Sequence, residues 1–437
     1  MKQSLKLTDI IAVGFMLFAF FLGAGNIIFP PIAGQMAGEH VYSAMGGFLI
    51  TAVGLPLLTI IAIGVAGGSW QQLTRDLPPK VAMIMAILMF VIIGPAFAAP
   101  RTGLVAYEMA AKPFMSAEAG QLSLTLFSIA FFSIAMFFAW SQGKLIDTIG
   151  KFLTPALFIG LIILAVAVFV NPQGDIVAAT GNYIEQPLTT GFFEGYNTMD
   201  TFGALMFGIL IIDALKNKGI TEHKATTKYL TAAGCIAALG LAFVYVSLFY
   251  LGATSSAVAP GAANGGAILT AYTHALFGSS GQIVLSVIVL IACLTTAIGL
   301  ISACADYFSS ICKVTYKTWV IVVGVACAVV ANVGLTQLIA LSVPVLFLLY
   351  PVAIALVALA FVRKMMPNPR LAYRVVILVA TCFAVLDAAK VAGADMSAFS
   401  MLPLFNHGMA WVIPTFSSMI AVRFVGKKED ELVTKNA

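Results

Sequence analysis

The sequence consists largely of long apolar runs, separated by short segments that carry most of the charged residues. Runs such as 159–170 and 283–294 contain no charged residue. A helix needs roughly 20 apolar residues to cross the hydrocarbon core of a bilayer, and about a dozen stretches meet this description. Only 9% of the residues are charged, whereas a soluble domain carries about 25%. The pattern therefore predicts a protein whose main solvent is lipid.

These runs do not fit a membrane β-barrel, whose strands have about ten residues and alternate apolar with polar side chains. We therefore predict an all-α membrane protein with one transmembrane domain over 1–437. The predicted twelve spans cover 8–33, 41–67, 81–110, 122–140, 152–171, 194–215, 228–254, 281–309, 317–332, 338–361, 371–391 and 401–424.

Lysine and arginine predict the orientation, because they favour the cytoplasmic side of a bacterial inner membrane. With the N-terminus in the cytoplasm, the inside segments hold Lys2, Lys6, Arg75, Lys80, Lys144, Lys151, Lys216, Lys218, Lys224, Lys228, Lys313, Lys317, Arg363, Lys364, Arg370, Arg374, Arg423, Lys427, Lys428 and Lys435. The outside holds only Lys112 and Lys390, and Arg101 falls within a span. Both termini are therefore predicted to be cytoplasmic.

Two spans contain residues that disfavour a continuous helix. The first reads Phe-Phe-Leu-Gly-Ala-Gly-Asn-Ile-Ile-Phe-Pro-Pro over 20–31, and the sixth reads Glu-Gly-Tyr-Asn-Thr-Met-Asp over 194–200. Glycine in a membrane span also serves close helix packing, so the first motif alone is weak evidence. Non-helical backbone at membrane depth survives only where it is buried in protein or lines a cavity.

The two motifs are five spans apart, so their helices run in opposite directions across the membrane. This arrangement is typical of inverted-repeat transporters, whose discontinuous helices bind substrate at mid-membrane. We predict a first five-helix repeat over 8–171, a second inverted repeat over 194–361 and two additional helices over 371–424. The exposed N–H groups of a broken helix can bind a carboxylate, and its free carbonyls can bind a cation or an ammonium group.

A pair of threonines, Thr295 and Thr296, lies within the eighth span. Threonines in helices commonly bond back to their own backbone carbonyls. The alternative is that the two hydroxyls bind a hard cation such as Na⁺, which prefers oxygen ligands.

The motifs over 20–31 and 194–200, together with Leu-Thr-Thr-Ala-Ile-Gly-Leu over 294–300, resemble bacterial branched-chain amino acid:cation symporters (the LIVCS family, BrnQ type). The resemblance extends over essentially the whole chain. It implies a LeuT-like 5+5 inverted-repeat fold of the amino acid–polyamine–organocation superfamily, with broken helices 1 and 6. It also implies import of leucine, isoleucine and valine with Na⁺, or with H⁺, as the coupling ion.

The resemblance also implies site residues. The implied substrate-binding residues are Gly23, Ala24, Gly25, Asp200, Phe202, Gly203 and Leu300. The implied second sodium site consists of the carbonyls of Ala19, Leu22 and Ala292 and the hydroxyls of Thr295 and Thr296. Asn26 and Thr198 are candidates for a first sodium site.

The chain departs from the LeuT-like pattern at two positions. Ile28 occupies the place of the outer-gate arginine, so Arg101 and Glu108, seven residues apart on one helix face, are alternative gate candidates or a structural ion pair. Asp200 occupies a place that is otherwise uncharged, and an acid within a membrane span is a functional hypothesis by default. By contrast, Asp9, Asp213, Asp306 and Asp387 lie near span ends, where solvated carboxylates are common.

Other classes of function receive little support. The sequence contains no His-Glu-x-x-His motif, no phosphate-cradling glycine loop and no nucleophile elbow, so we predict neither enzyme activity nor an organic cofactor. The net charge of +5 does not indicate nucleic-acid binding, because the basic residues lie in membrane loops. The lipid bilayer is a predicted partner, and no obligate protein partner is indicated. A permease for a nucleobase or polyamine, or a channel, remains an alternative.

Overall fold

A computed structural model describes residues 4–115, 120–140 and 154–425. Within these residues all regular structure is helical. The α-helices are α1 (Leu7–Phe21), α2 (Ala24–Ala37), α3 (Val41–Leu49), α4 (Leu55–Ala66), α5 (Trp70–Leu73), α6 (Pro79–Val91), α7 (Ala98–Ala106), α8 (Gln121–Ala139), α9 (Thr154–Val170), α10 (Pro187–Glu194), α11 (Asp200–Asn217), α12 (His223–Ala253), α13 (Gly265–Ile311), α14 (Tyr316–Val330), α15 (Leu335–Val362), α16 (Pro369–Val391) and α17 (Val412–Val425). The predicted all-α class is confirmed.

Eight helical stretches in the described ranges are long and apolar enough to cross a membrane. A ninth is formed if Pro187–Thr198 and Asp200–Asn217, which meet at a bend of 40°, make one span. Shorter apolar helices occupy Leu7–Phe21, Leu157–Val170 and Val412–Phe424. The chain is therefore a multi-pass membrane protein. Several residues used to predict its orientation, namely Lys2, Lys144, Lys151, Lys427, Lys428 and Lys435, lie outside the described residues.

The first predicted span is interrupted between α1 and α2. Gly23 is extended (φ −110°, ψ −166°), and its N–H donates to the Phe21 carbonyl oxygen (2.7 Å) and to Asn26 Oδ1 (3.1 Å). In a continuous helix the Gly23 N–H would pair with the Ala19 carbonyl, but here it bonds to Phe21 and Asn26 instead. The side chain of Asn26 takes the place of a helix cap, and α2 begins at Ala24 with its first N–H groups free of α-helical partners.

The sixth predicted span is also interrupted. After α10 the backbone passes through a 3₁₀ turn (Gly195–Thr198), and Met199 then adopts a left-handed conformation (φ 61°, ψ 16°). A positive φ is uncommon for a residue other than glycine. The 3₁₀ turn is stabilised by the Thr198 hydroxyl, which donates to the Gly195 carbonyl (2.9 Å). A new helix, α11, then starts at Asp200.

Glycines hold two of the half-helices, α2 and α10, tightly against their neighbours. A Cβ added at Gly252 of α12 would collide with the Pro31 carbonyl of α2. Likewise, a Cβ added at Gly47 of α3 would collide with the Leu188 carbonyl of α10. Small residues allow this close backbone approach in membrane helices, where van der Waals packing drives association. Thus α2 is fixed to α12, and α10 is fixed to α3.

Candidate substrate site

The two interruptions face one small buried cavity of about 30 Å³. Its walls come from both interrupted spans, from the region of α7 and from α13. They consist of Phe20, Phe21, Gly23, Ala24, Gly25, Asn26, Ile93, Ala98, Arg101, Thr102, Thr198, Met199, Asp200, Gly203, Phe207, Thr296 and Leu300. A water molecule occupies about 30 Å³ in the liquid. The cavity must therefore widen before it can hold an amino acid.

A hydrogen-bonded cluster of Asn26, Asp200 and Tyr245 joins the two interruptions. Asn26 Nδ2 donates to Asp200 Oδ2 (2.7 Å) and to the Tyr245 hydroxyl oxygen. The Tyr245 hydroxyl donates to the same Asp200 oxygen (2.6 Å). All three side chains are buried, and an aspartate at the first position of α11 is favoured by the helix dipole. The cluster connects the start of α2 with the start of α11 through α12.

The opposite charge in the cavity belongs to Arg101 of α7, which is 3% exposed. Its guanidinium lies 5.1 Å above the centre of the Phe29 ring, and a Cβ added at Gly25 would be 2.8 Å from Arg101 Nη2. The side chain therefore packs on the first turn of α2. The cavity thus combines a cation, the N-terminus of a helix and an acid, which together suit a zwitterion.

Arg101 and Glu108 do not form the predicted pair. Glu108 instead accepts a salt bridge from Lys112 (2.9 Å) in a partly exposed position. Glu108 lies in a π-helical turn (Tyr107–Ala111), which departs from the α-helical register on which the same-face expectation rested. The structure therefore separates the two gate candidates.

The apolar part of the cavity is aromatic. Phe20 and Phe207 stack with ring centres 5.1 Å apart, and Phe21 meets Phe207 edge-on at 6.0 Å. Leu300 and Gly203 also line the cavity, as the predicted pocket walls require. Phe202 does not line it, because this ring packs against Tyr350 at 4.6 Å.

The residues of the predicted second sodium site lie at the end of α1 and in α13. The Thr296 hydroxyl lies 3.4 Å from the Leu22 carbonyl oxygen and donates to it. Thr295 instead donates to the Ala292 carbonyl in its own helix (2.9 Å). The Ala19 carbonyl has lost its α-helical partner at the interruption. These oxygens are uncharged, and within the described ranges no group of three or more His, Cys, Asp or Glu residues could hold a metal.

The candidate first sodium ligands already have partners. Asn26 Oδ1 accepts the Gly23 N–H, and the Thr198 hydroxyl donates to Gly195 while lying 3.5 Å from the Asp200 N–H. In this conformation both side chains stabilise the interruptions themselves.

Several cavity residues were not anticipated. Thr102 lies on a span without an interruption signal, Phe207 lies beyond the motif of the sixth span, and Phe20 and Phe21 belong to the first motif without a predicted role. Tyr245 was not anticipated either; it does not line the cavity but hydrogen-bonds to Asn26 and Asp200, which do. A tyrosine at the end of the long apolar run 232–246 of α12 is a signal that could have identified Tyr245.

Comparisons with known proteins agree with this geometry. Residues 6–429 match the family described as "Branched-chain amino acid transport protein". A branched-chain amino acid transport system 2 carrier protein of Pseudomonas aeruginosa is 46% identical over 98% of this chain and 99% of its own. A branched-chain amino acid permease, BraB, of Bacillus subtilis is 43% identical over 95% and 94%.

Among solved structures, a Na⁺-coupled sialic acid symporter superposes with a TM-score of 0.62 at 15% identity, over 95% of this chain and 89% of the symporter. This likeness confirms the expected LeuT-like fold but, at such low identity, does not indicate a substrate. The family consists of transport proteins, in agreement with the prediction that the chain is not an enzyme. The family match over 6–429 and the relatives show that the chain belongs to the branched-chain amino acid transport protein family.

Proposed function

We propose that this protein imports leucine, isoleucine and valine across the bacterial inner membrane by alternating access, coupled to Na⁺ or, alternatively, to H⁺. The observation that carries the proposal is the cavity between two interrupted helices, where Asp200 faces the N-terminus of α2. The Asp200 carboxylate can bind an ammonium group, and the N-terminus of α2 can bind a carboxylate. The aromatic wall of Phe20, Phe21 and Phe207 suits an apolar side chain, and the names of the relatives agree with a branched one.

We also propose a topology of twelve spans with a 5+5 inverted repeat and two additional helices. The stretch Ala24–Ala66 supports this division, because Gly38 (φ 47°, ψ −125°) separates α2 from α3. The contacts between helices support the repeat. If spans 1 and 6 correspond and spans 2 and 7 correspond, the counterpart of the α10–α3 contact is the α1–α12 contact, and the counterpart of the α2–α12 contact is the α11–α4 contact. All four pairs of helices pack together. The basic residues support cytoplasmic termini.

Sodium would occupy the space between α1 and α13, with the Leu22 carbonyl and the Thr296 hydroxyl as ligands. Ala19, Ala292 and Thr295 would complete the set as the helices adjust. A site of carbonyls and hydroxyls keeps the full charge of a cation near the α1 end of the cavity, where it can attract a substrate carboxylate. Such a link would make the binding of cation and amino acid mutually favourable, which is the requirement for coupling.

Uptake of radiolabelled leucine into proteoliposomes tests the proposal. A Na⁺ gradient directed inward should stimulate uptake, and a proton gradient imposed without Na⁺ tests the alternative ion. Excess isoleucine and valine should compete, whereas uracil and spermidine should not. Uptake that neither gradient stimulates, or that uracil or spermidine inhibits as strongly as isoleucine, would refute the proposal.

A further inference from the structure

Arg101 is a buried cation without a matching hydrogen-bonded anion. Its side chain is 3% exposed, and its Nε has no hydrogen-bond partner among the described residues. No ion pair joins Arg101 to any carboxylate in the part of the chain that the structure describes. Burying a charge is costly unless it is paired and hydrogen-bonded. An arginine in this state calls for an anionic partner that arrives from outside the chain.

The place where the guanidinium lies identifies the partner's charge. Arg101 Nη2 packs on Gly25 in the first turn of α2, a helix of 14 residues whose first residues also line the cavity. The positive end of the helix dipole and the guanidinium therefore converge on one spot. An arginine presents its N–H groups as a planar fork that fits both oxygens of a carboxylate.

The acid in the same cavity does not neutralise Arg101 by direct contact. The hydrogen bonds of the Asp200 carboxylate come from Asn26 and Tyr245, whereas Arg101 contacts Gly25 and Phe29. The two charges thus occupy different walls of one cavity. A molecule that carries a carboxylate and an ammonium group on one carbon atom can pair with both at once.

We propose that Arg101 is the carboxylate-recognition residue of this transporter, so that a free α-carboxylate is a condition for binding. This inference rests on the proposed function and adds to it the group that decides between amino acids and their amine or amide analogues. It replaces the role of Arg101 in an outer gate, since its expected partner Glu108 lies elsewhere.

The test compares ligands that differ at one end of the molecule. Binding of leucine, leucinamide and 4-methyl-2-oxopentanoate is measured by calorimetry on the purified full chain in detergent with Na⁺. Wild-type protein should bind leucine at least about tenfold more tightly than leucinamide, because a hydrogen bond to a charged group is worth roughly tenfold or more in affinity. The keto acid should also bind weakly, since it lacks the ammonium group that Asp200 recognises.

Variants then assign the discrimination to Arg101. Arg101→Gln should weaken leucine binding by about tenfold or more and leave leucinamide binding within about twofold. Arg101→Lys, which keeps the charge but loses the planar fork, should give an intermediate loss. Arg374→Gln is the control, because Arg374 is exposed on α16 and is not among the residues that line the cavity; it should behave as wild type.

Each outcome is decisive. Equal affinity of the wild type for leucine and leucinamide would overturn the assignment even if Arg101→Gln failed to fold. A folded Arg101→Gln that binds leucine normally, or that weakens both ligands equally, would also overturn it. If wild-type protein binds no branched-chain amino acid, the proposed function itself is wrong, and this inference is rejected with it. Normal leucine binding with an unchanged ligand preference in Arg101→Gln rejects the inference alone.

Discussion

At the scale of single residues, the cavity depends on a few polar atoms that would otherwise be too costly to bury in a membrane. Asp200 is only 4% exposed, yet its carboxylate is held by the amide of Asn26 and the hydroxyl of Tyr245. Such a network satisfies the acid without a counter-charge in direct contact. The carboxylate is therefore available to a ligand, whereas a salt-bridged carboxylate would not be.

This arrangement predicts that substitutions of Asp200 and of Tyr245 change leucine uptake to different extents. Asp200→Asn should lower leucine uptake at least about tenfold, because the charge that attracts the ammonium group is lost. Tyr245→Phe should have a smaller effect, since Asn26 still donates to the carboxylate. Initial rates of uptake in proteoliposomes measure both. Wild-type rates for Asp200→Asn would show that the acid is merely structural.

A second residue-scale prediction concerns the coupling ion. Thr296→Ala removes the hydroxyl that meets the Leu22 carbonyl, so the Na⁺ concentration for half-maximal uptake should rise by about tenfold. Thr296→Ser keeps the hydroxyl and should remain within about twofold of wild type. Uptake measured over a series of Na⁺ concentrations gives both values. An unchanged Na⁺ dependence in Thr296→Ala would reject this site.

At the scale of helices, the packing of the half-helices can be tested with two adjacent glycines of α3. A Cβ at Gly47 would collide with the Leu188 carbonyl of α10, whereas a Cβ at Gly46 would meet nothing within 4 Å. Gly47→Ala should destabilise the protein by about 1–3 kcal/mol, the usual cost of overpacking. Gly46→Ala should be neutral or stabilising, because alanine favours helix. Thermal unfolding in detergent measures the difference, and equal unfolding temperatures for the two variants would contradict it.

The sequence was informative about where helices break but not about how they continue. Gly23, Gly25 and Asn26 identify the first interruption, since glycine and a polar side chain are unfavourable within an apolar helix. The second turns at Met199, a residue without preference for a left-handed conformation. Because that turn resets the phase of α11, the sequence could not show that Phe207 rather than Phe202 faces the cavity.

Burial by neighbouring segments was also invisible in the sequence. Asp387 lies near the end of α16, where a solvated carboxylate was expected, but it is fully buried. Its Oδ1 accepts the Ala410 N–H at 3.4 Å, just before α17 begins. The acid thus contacts the backbone that leads into the next helix, and this contact depends on how the segment between the two helices folds back. Such long-range placement is not encoded in a local pattern.

At the scale of the whole molecule, one ion pair ties distant parts of the chain together. Arg363, which follows α15, donates to both oxygens of Asp76 from Nε (2.6 Å) and Nη2 (3.3 Å), across 287 positions of sequence. The Asp76 side chain is 8% exposed and that of Arg363 is 30% exposed. The pair joins the segment between α5 and α6 to the end of α15, two regions that the basic-residue pattern predicts to share the cytoplasmic side.

Asp76 is the more buried partner, so loss of Arg363 would leave a buried charge. We therefore expect the stability losses from changing Asp76 and from changing Arg363 to be coupled. Arg363→Gln should destabilise the protein by about 1–3 kcal/mol, because it leaves a buried carboxylate without its charged partner. The double variant Asp76→Asn/Arg363→Gln should recover a large part of this loss, since no uncompensated charge remains. Unfolding temperatures of the two single variants and the double variant in detergent complete a double-mutant cycle. Additive losses in that cycle would mean that the contact between Asp76 and Arg363 does not stabilise the fold.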